Sequence, residues 1–191
     1  MKVCTDAVEI LGRPQPGGLL FSCEHGSARV PAPWRPRPSD RKLLEMHWGY
    51  DIGARALTRR LVHHAGTAAV IARFSRLLVD PNRDPADPSL VLRDCGGEGR
   101  PTFNRIPDLQ ERLERFHQPY HAALDALIRQ EKPRLLLSIH SFTPLYRGQK
   151  RHQEAGVLFD RYDALAERWW SALCAEGLGC YLNEPWSGKD G

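Results

Sequence analysis

Short apolar runs, each cut off by a breaker and each opening onto reactive polar residues, constrain this chain more than any other feature. Gly18 to Ser22 (GLLFS) runs into Cys23-Glu24-His25-Gly26-Ser27, and Leu135 to Leu137 runs into Ser138-Ile139-His140-Ser141 before a Thr-Pro pair. A brief apolar run between breakers reads as a strand buried on both faces. His25 and His140 then emerge at the carboxyl ends of two such strands, where open α/β sheets place their ligands.

The intervening segments change period. From Asp51, residues Ile52, Ala56, Leu57, Leu61 and Ala65 fall on one stripe, with Arg55, Arg59 and Arg60 off it and Gly66 as the stop. Asp51 stands at or beside the start of this helix, where a carboxylate also serves as a cap. A second helix follows Pro107-Asp108, with Leu109, Leu113, Phe116, Tyr120, Leu124 and Leu127 three or four apart and a kink expected at Pro119. A third is expected after Asp160 as its cap, carrying Leu165, Trp169 and Leu173. Thr67 to Phe74, Leu77 to Asp80, Ala155 to Phe159 and Cys180 to Asn183 read as further strands; residues 1–17 read as a lead-in and turn. Residues 31–38 hold four prolines, which excludes regular structure, and residues 84–107, rich in Pro, Gly and Asp, read as a long loop. Strands alternating with amphipathic helices predict an α/β fold, a three-layer αβα sandwich around a mostly parallel mixed sheet. We expect one catalytic domain over residues 1–191.

Composition narrows the functional classes. The net charge of +4 is spread along the chain without a dense basic run, which argues against nucleic acid and stays compatible with a small anionic substrate. Cys4, Cys23, Cys95, Cys174 and Cys180 are odd in number and lack CxxC spacing, so neither a disulfide framework nor a cysteine zinc site is expected. No apolar leader and no run of about 18 apolar residues is present, and the expectation is a cytoplasmic protein off the membrane.

Two histidines at strand ends and an aspartate at a helix start form a donor set suited to catalytic zinc, which takes three protein ligands and leaves a position for water. His25, Asp51 and His140 are the candidates. Arg83, in Pro81-Asn82-Arg83-Asp84, is suited to grip a carboxylate or to pair with Asp80 or Asp84. His117 and His121, four apart, are either a possible metal pair or a polar helix edge.

The segments SCEHGSARVP, DIGARAL, SRLLVDPNRDP, PYHAAL, SIHSFTP, GVLFD and NEPWSG, in this order from Leu19 to Gly188, resemble the N-formylglutamate amidohydrolase family. The resemblance implies a zinc-dependent hydrolase that releases formate from N-formyl-L-glutamate in histidine breakdown, on the zinc carboxypeptidase-like fold. SIHSF is similar to the segment carrying the last histidine ligand in zinc carboxypeptidases, and VDPNR to their carboxylate-binding Asn-Arg segment. By analogy with cell-wall zinc amidases the ligands implied are His25, Asp51 and His140, with Asp51 preferred to Glu24. Asn82 and Arg83 are implied to hold the substrate carboxylate, with Ser141 and Asn183 as further contacts. Family members usually continue through a strand similar to Glu-Leu-Glu-Ile-Arg, where the general-base glutamate is expected; either that glutamate is expected beyond Gly191, in a longer chain, or the chain lacks its base and final strands, and low activity, lower stability or self-association is expected of residues 1–191. The alternatives are a zinc amidase or carboxypeptidase-like hydrolase of another N-acyl amino acid or peptide, and a non-catalytic binding protein on the same fold.

Overall fold

The computed structural model describes residues 2–105, 108–146 and 148–187. It divides into two compact units, Met1–Phe142 and Thr143–Gly191. In the first, β1 (Lys2–Cys4), β2 (Val8–Gly12), β3 (Leu19–Cys23), β4 (Ala68–Ala72) and β5 (Leu135–Ser138) form one mixed sheet in the order β1-β2-β4-β3-β5. β3 runs parallel to β4 and β5, while β2 runs antiparallel to β1 and β4. Its helices are α1 (Arg41–Glu45), α2 (Ala54–Ala65), α3 (Leu109–Arg112) and α4 (Gln118–Glu131), the last two joined by a π turn over Leu113–His117.

Alternation along the strands sorts the core into two layers. Phe21, Cys23, Ala69 and Ile71 face one way and pack with Ala54 and Val62 of α2. Leu20, Ala68, Val70 and Ala72 face the other way and join Phe116, Tyr120, Leu127, Phe74 and Trp34. The sandwich is therefore helix, sheet, helix, and burying each of these larger apolar side chains stabilises it by roughly 1.5–3 kcal/mol. β4 is buried along its whole length, so its run of small and branched residues serves both layers.

The register decides where the site lies. Ser22 pairs with Ser138, so β3 and β5 end level with each other and the chain leaves both at the same rim. His25 and His140 follow within three residues.

Several local expectations are corrected. Residues 1–17 contribute two strands, because a Thr5–Val8 turn reverses the chain and a buried carboxylate, Glu9, breaks up the apolar signal of β2. β5 is an edge strand, and Leu136 is 38% exposed, where burial on both faces was expected. Leu77 to Asp80 is buried but irregular. Its polar groups are met singly, by Ser75 Oγ accepting from the Leu77 N–H and by the Leu90 carbonyl accepting from the Asp80 N–H. The inward face of α2 is Ala54, Thr58 and Val62, whereas Leu57 is 48% exposed and Ile52, just before the helix, 54%. Glu9 causes this shift: it draws in Arg55 and Arg59, which were expected to point away. The kink expected at Pro119 takes the form of the π turn immediately before it, which relieves the hydrogen bond proline cannot make.

The 84–107 loop is pinned down as far as Arg105. Buried Arg112 donates to the carbonyls of Phe103 and Leu78 and to Asn104 Oδ1, and Asn104 Nδ2 donates to the carbonyls of Leu77 and Leu92. Ile106 and Pro107 lie outside the described residues.

The second unit carries a hairpin of β6 (Leu145–Tyr146) and β7 (Gln149–Lys150), then a parallel pair, β8 (Ala155–Val157) and β9 (Cys180–Leu182), linked by α5 (Asp163–Ala175). Helix α5 starts at Asp163 behind Tyr162 in the left-handed region, so Asp160 is not its cap. Trp170 Nε1 donates to the Cys180 carbonyl, tying α5 to β9. Gly156 has no room for a side chain, since a Cβ would lie 2.2 Å from the Glu184 carbonyl oxygen. Among the described residues no helix is long and apolar enough to cross a membrane. Cys23, Cys95, Cys174 and Cys180 are unbridged.

Candidate metal centre

The rim shared by β3 and β5 gathers residues from four segments. After β3 the chain turns through Glu24, His25 and Gly26, and Gly26 passes so close to β4 that a Cβ would lie 2.6 Å from the Ile71 side chain. That approach requires glycine and fixes the backbone beside His25. Asp51 arrives from the segment before α2, held by its N–H on the His25 carbonyl (3.0 Å) and by its own carbonyl accepting from Ala54 (3.2 Å). Its carboxylate does not cap the helix. It turns to the histidines instead, with Oδ2 2.8 Å from His140 Nδ1 and Oδ1 3.4 Å from His25 Nδ1.

The two imidazoles lie 4.9 Å apart between centroids, nearly edge to face. One donor atom each from His25, Asp51 and His140 falls within 4.8 Å of the others, so these three could hold a metal ion. His25 Nδ1 is buried and has no hydrogen-bond partner. A buried nitrogen left unpaired costs about 1–3 kcal/mol, and a cation between it and Asp51 would remove that cost.

A ring of further groups sets the direction of each imidazole. His25 Nε2 lies 2.8 Å from Asp80 Oδ1. Burial alone would raise the Asp80 carboxyl, but its bond to His25 and the charges of His25 and Arg76 hold it well below the usual range. Ionised Asp80 can only accept, so Nε2 carries a hydrogen; in the neutral ring Nδ1 is then the atom free to act as a ligand beside Asp51. His140 repeats the pattern, with Nδ1 on Asp51 and Nε2 3.3 Å from Glu24 Oε2. Partial desolvation of its side chain, 33% exposed, would lower His140, yet its bonds to Asp51 and Glu24 and their charges push it up to about 9. Glu24 in turn accepts from Tyr120 Oη (2.9 Å) and Ser138 Oγ (2.5 Å). Despite burial, the histidine and hydroxyl donors bring it down to about 2. Arg76 completes the ring, 2.8 Å from Asp80 Oδ2 and 3.7 Å from Asp51 Oδ1.

Sequence reasoning passed over Asp80, Arg76, Ser138 and Tyr120 as parts of the site. Tyr120 sits on the apolar stripe of α4 and Arg76 in what read as a strand interruption. Neither has a signal in one dimension beyond a polar atom at an otherwise apolar position.

The other candidates fall as follows. Asn82 and Arg83 are exposed on the turn after Asp80, whose Oδ1 accepts from the Asn82 N–H (2.9 Å). Among the described residues the Arg83 side chain makes a long contact to Asp87, 3.9 Å. Ser141 donates its N–H to Asp51 Oδ2 and its hydroxyl to the Ile52 carbonyl, so it fastens the approach to α2. Asn183, in the second unit, is in the left-handed region and accepts from the Phe159 N–H. His117 and His121 stay outside the converging set, each with Nε2 on a backbone carbonyl. An open cleft of about 480 Å³, lined by Ser27, Tyr50, Asp51 and Arg55 among others, reaches Asp51.

Residues 17–190 match the sequence family described as N-formylglutamate amidohydrolase. The chain belongs to that family. As an amidohydrolase-family chain it is placed among hydrolases acting on small molecules. Among solved structures it is similar to a gene product of Agrobacterium tumefaciens, at 28% identity and a TM-score of 0.86, over 97% of this chain and 76% of that one. It is also similar in fold to the N-formylglutamate amidohydrolase of Ralstonia eutropha JMP134, at 18% identity and a TM-score of 0.72, over 97% of this chain and 78% of that one. No curated protein matches the chain.

Proposed function

We propose that this family member hydrolyses the formamide bond of N-formyl-L-glutamate, giving formate and L-glutamate, with zinc held by His25, Asp51 and His140. The observation that carries the reading is His25 Nδ1, buried, without a hydrogen-bond partner and 3.4 Å from Asp51 Oδ1, while Nε2 lies on Asp80.

Charge supports it. Three ionised carboxylates, Asp51, Glu24 and Asp80, face one guanidinium, Arg76, and two imidazoles. With the imidazoles neutral the cluster is left two negative charges in excess, which a divalent cation balances. The donor set of two nitrogens and one carboxylate suits zinc. Zinc bound there supplies Lewis acidity toward water and toward the formyl carbonyl.

The residues of the chain then divide the remaining work. Asp80 and Glu24 hold the imidazoles in the tautomer and orientation that binding requires. Arg83, exposed and held at only 3.9 Å from Asp87, takes a carboxylate of the substrate in a bidentate grip, and Asn82 adds a donor beside it. Water adds to the formyl carbon, the C–N bond breaks, and the amine leaves with a proton. Glu24 already accepts from Tyr120 and Ser138 on its two oxygens, which leaves it to orient His140 rather than to take the proton of the attacking water.

Zinc content of the purified protein and of His140→Ala, together with formate and glutamate released from N-formyl-L-glutamate, tests the reading. The expected result is zinc in the parent alone, and the two products in equal amounts. Equal zinc in both proteins overturns the metal assignment, and a zinc-loaded protein that binds the substrate without turnover establishes the non-catalytic alternative.

A further inference from the structure

His117 and His121 are the most conspicuous titratable pair left unused. Their rings lie 4.5 Å apart on one face of the helical run that ends in α4. His121 Nε2 is 3.0 Å from the Pro81 carbonyl and His117 Nε2 is 3.0 Å from the Arg83 carbonyl. A carbonyl oxygen only accepts, so each ring must present its hydrogen on Nε2.

Four residues of helix advance about 6 Å, and over that rise the two rings reach two carbonyls of one turn, those of Pro81 and Arg83, with Asn82 between them. The π turn ends at His117, which is buried, so the irregular turn delivers this ring to the loop. The opposite side of the same loop is held by Asp80, whose Oδ1 accepts from Asn82 and whose carbonyl accepts from Arg83. Asp80 is also the group that aims His25.

From this geometry we infer that His117 and His121 are positioning residues for substrate recognition: they hold the Asn82-Arg83 turn at a fixed place relative to His25 and so set where the carboxylate of the substrate sits. The inference rests on the proposed role of Arg83. Neither histidine touches substrate. Both act through the loop backbone, and burial keeps His121 lowered and neutral, as a plain hydrogen-bond donor.

The test compares two amides of different reach at each position. In His117→Gln and His121→Gln the terminal amide nitrogen lies near the place of Nε2 and can still donate to the loop; in His117→Asn and His121→Asn it falls short. Binding of L-glutamate, which carries the recognised carboxylates and is not hydrolysed, is measured on zinc-loaded protein beside Arg83→Ala. Each Asn variant is expected to weaken L-glutamate about tenfold, the equivalent of one lost hydrogen bond. Each Gln variant should stay within about threefold of the parent, all with unchanged zinc content. A role in folding alone would lower the melting temperature of both amides without separating their affinities. If Arg83→Ala weakens L-glutamate but Asn and Gln variants bind alike, the positioning role is overturned and the Arg83 reading stands. If Arg83→Ala binds as the parent does, the Arg83 reading falls and takes this inference with it.

Discussion

At the scale of single residues, the site depends less on its three candidate ligands than on what fixes their direction. Asp80 accepts from His25 Nε2, from Arg76 and from the Asn82 N–H at once, so its removal affects an imidazole and a loop together. Asp80→Asn keeps the shape but loses the charge, and its amide can present a donor where Nε2–H needs an acceptor. We expect zinc affinity to fall by about 10–100-fold with little change in secondary structure, measured by competition with a chromophoric chelator. An affinity within about twofold of the parent would mean that Asp80 does not orient His25. The places of His25, Asp51 and His140 were legible in the sequence, because a histidine after an apolar run and an aspartate before a helix carry their placement with them, whereas the preference for Asp51 over Glu24 came from the resemblance to zinc amidases. Asp80 was visible only as a neighbour of Arg83, and Tyr120 only as core. Their roles depend on which segments meet at one rim, and strand order decides that.

Among the elements, β2 and α2 are coupled by a feature that the hydrophobic pattern hides. Glu9 is fully buried in β2, and Arg55 and Arg59 reach it from α2 while staying 38% and 45% exposed. The two sides of this cluster are unequal. Removing both arginines takes both guanidinium partners from a buried carboxylate, which costs roughly 3–5 kcal/mol, whereas Glu9→Gln leaves two arginines that water can reach, which costs roughly 1–2 kcal/mol. Urea unfolding of Arg55→Ala/Arg59→Ala and of Glu9→Gln should show that order, and the reverse order would sink the account. The pH dependence follows from the direction of the shift. Burial would raise Glu9, but its bonds to Arg59 and Arg55 bring it below its ordinary 4.5. Its contribution is thus complete above about 4.5 and fades as pH falls through the lower folded value, so the gap between the parent and Glu9→Gln should close in acid and stay constant from pH 6 to 8. The same buried charge explains why β2 was unreadable and why the inward face of α2 came out rotated. Both segments break the apolar period at the position where an ion pair replaces packing. Strands β3 and β4 and the stripe on α4 obey the period, and they were legible.

Across the whole molecule, the proposed metal would act as a cross-link. His25 follows β3, Asp51 precedes α2 and His140 follows β5, so one cation would join segments more than a hundred residues apart in sequence, one of them beyond an edge strand. An ion that binds the folded form but not the unfolded chain stabilises it by roughly 2.7 kcal/mol when free zinc is about a hundred times the dissociation constant. In a chain of this size that is roughly 5–10 °C in Tm. Without the ion, His140 remains pushed up to about 9 by Asp51 and Glu24, so a proton supplies part of the missing positive charge and the metal-free fold should persist at neutral pH with a lower melting point. Melting of the parent with and without zinc, beside His140→Ala under the same conditions, separates these contributions. The parent should gain several degrees with zinc, whereas His140→Ala should gain less than about one. An equal gain in both proteins would mean that the stabilising zinc binds elsewhere, and no gain in the parent would mean that the three donors, although they converge, do not hold zinc.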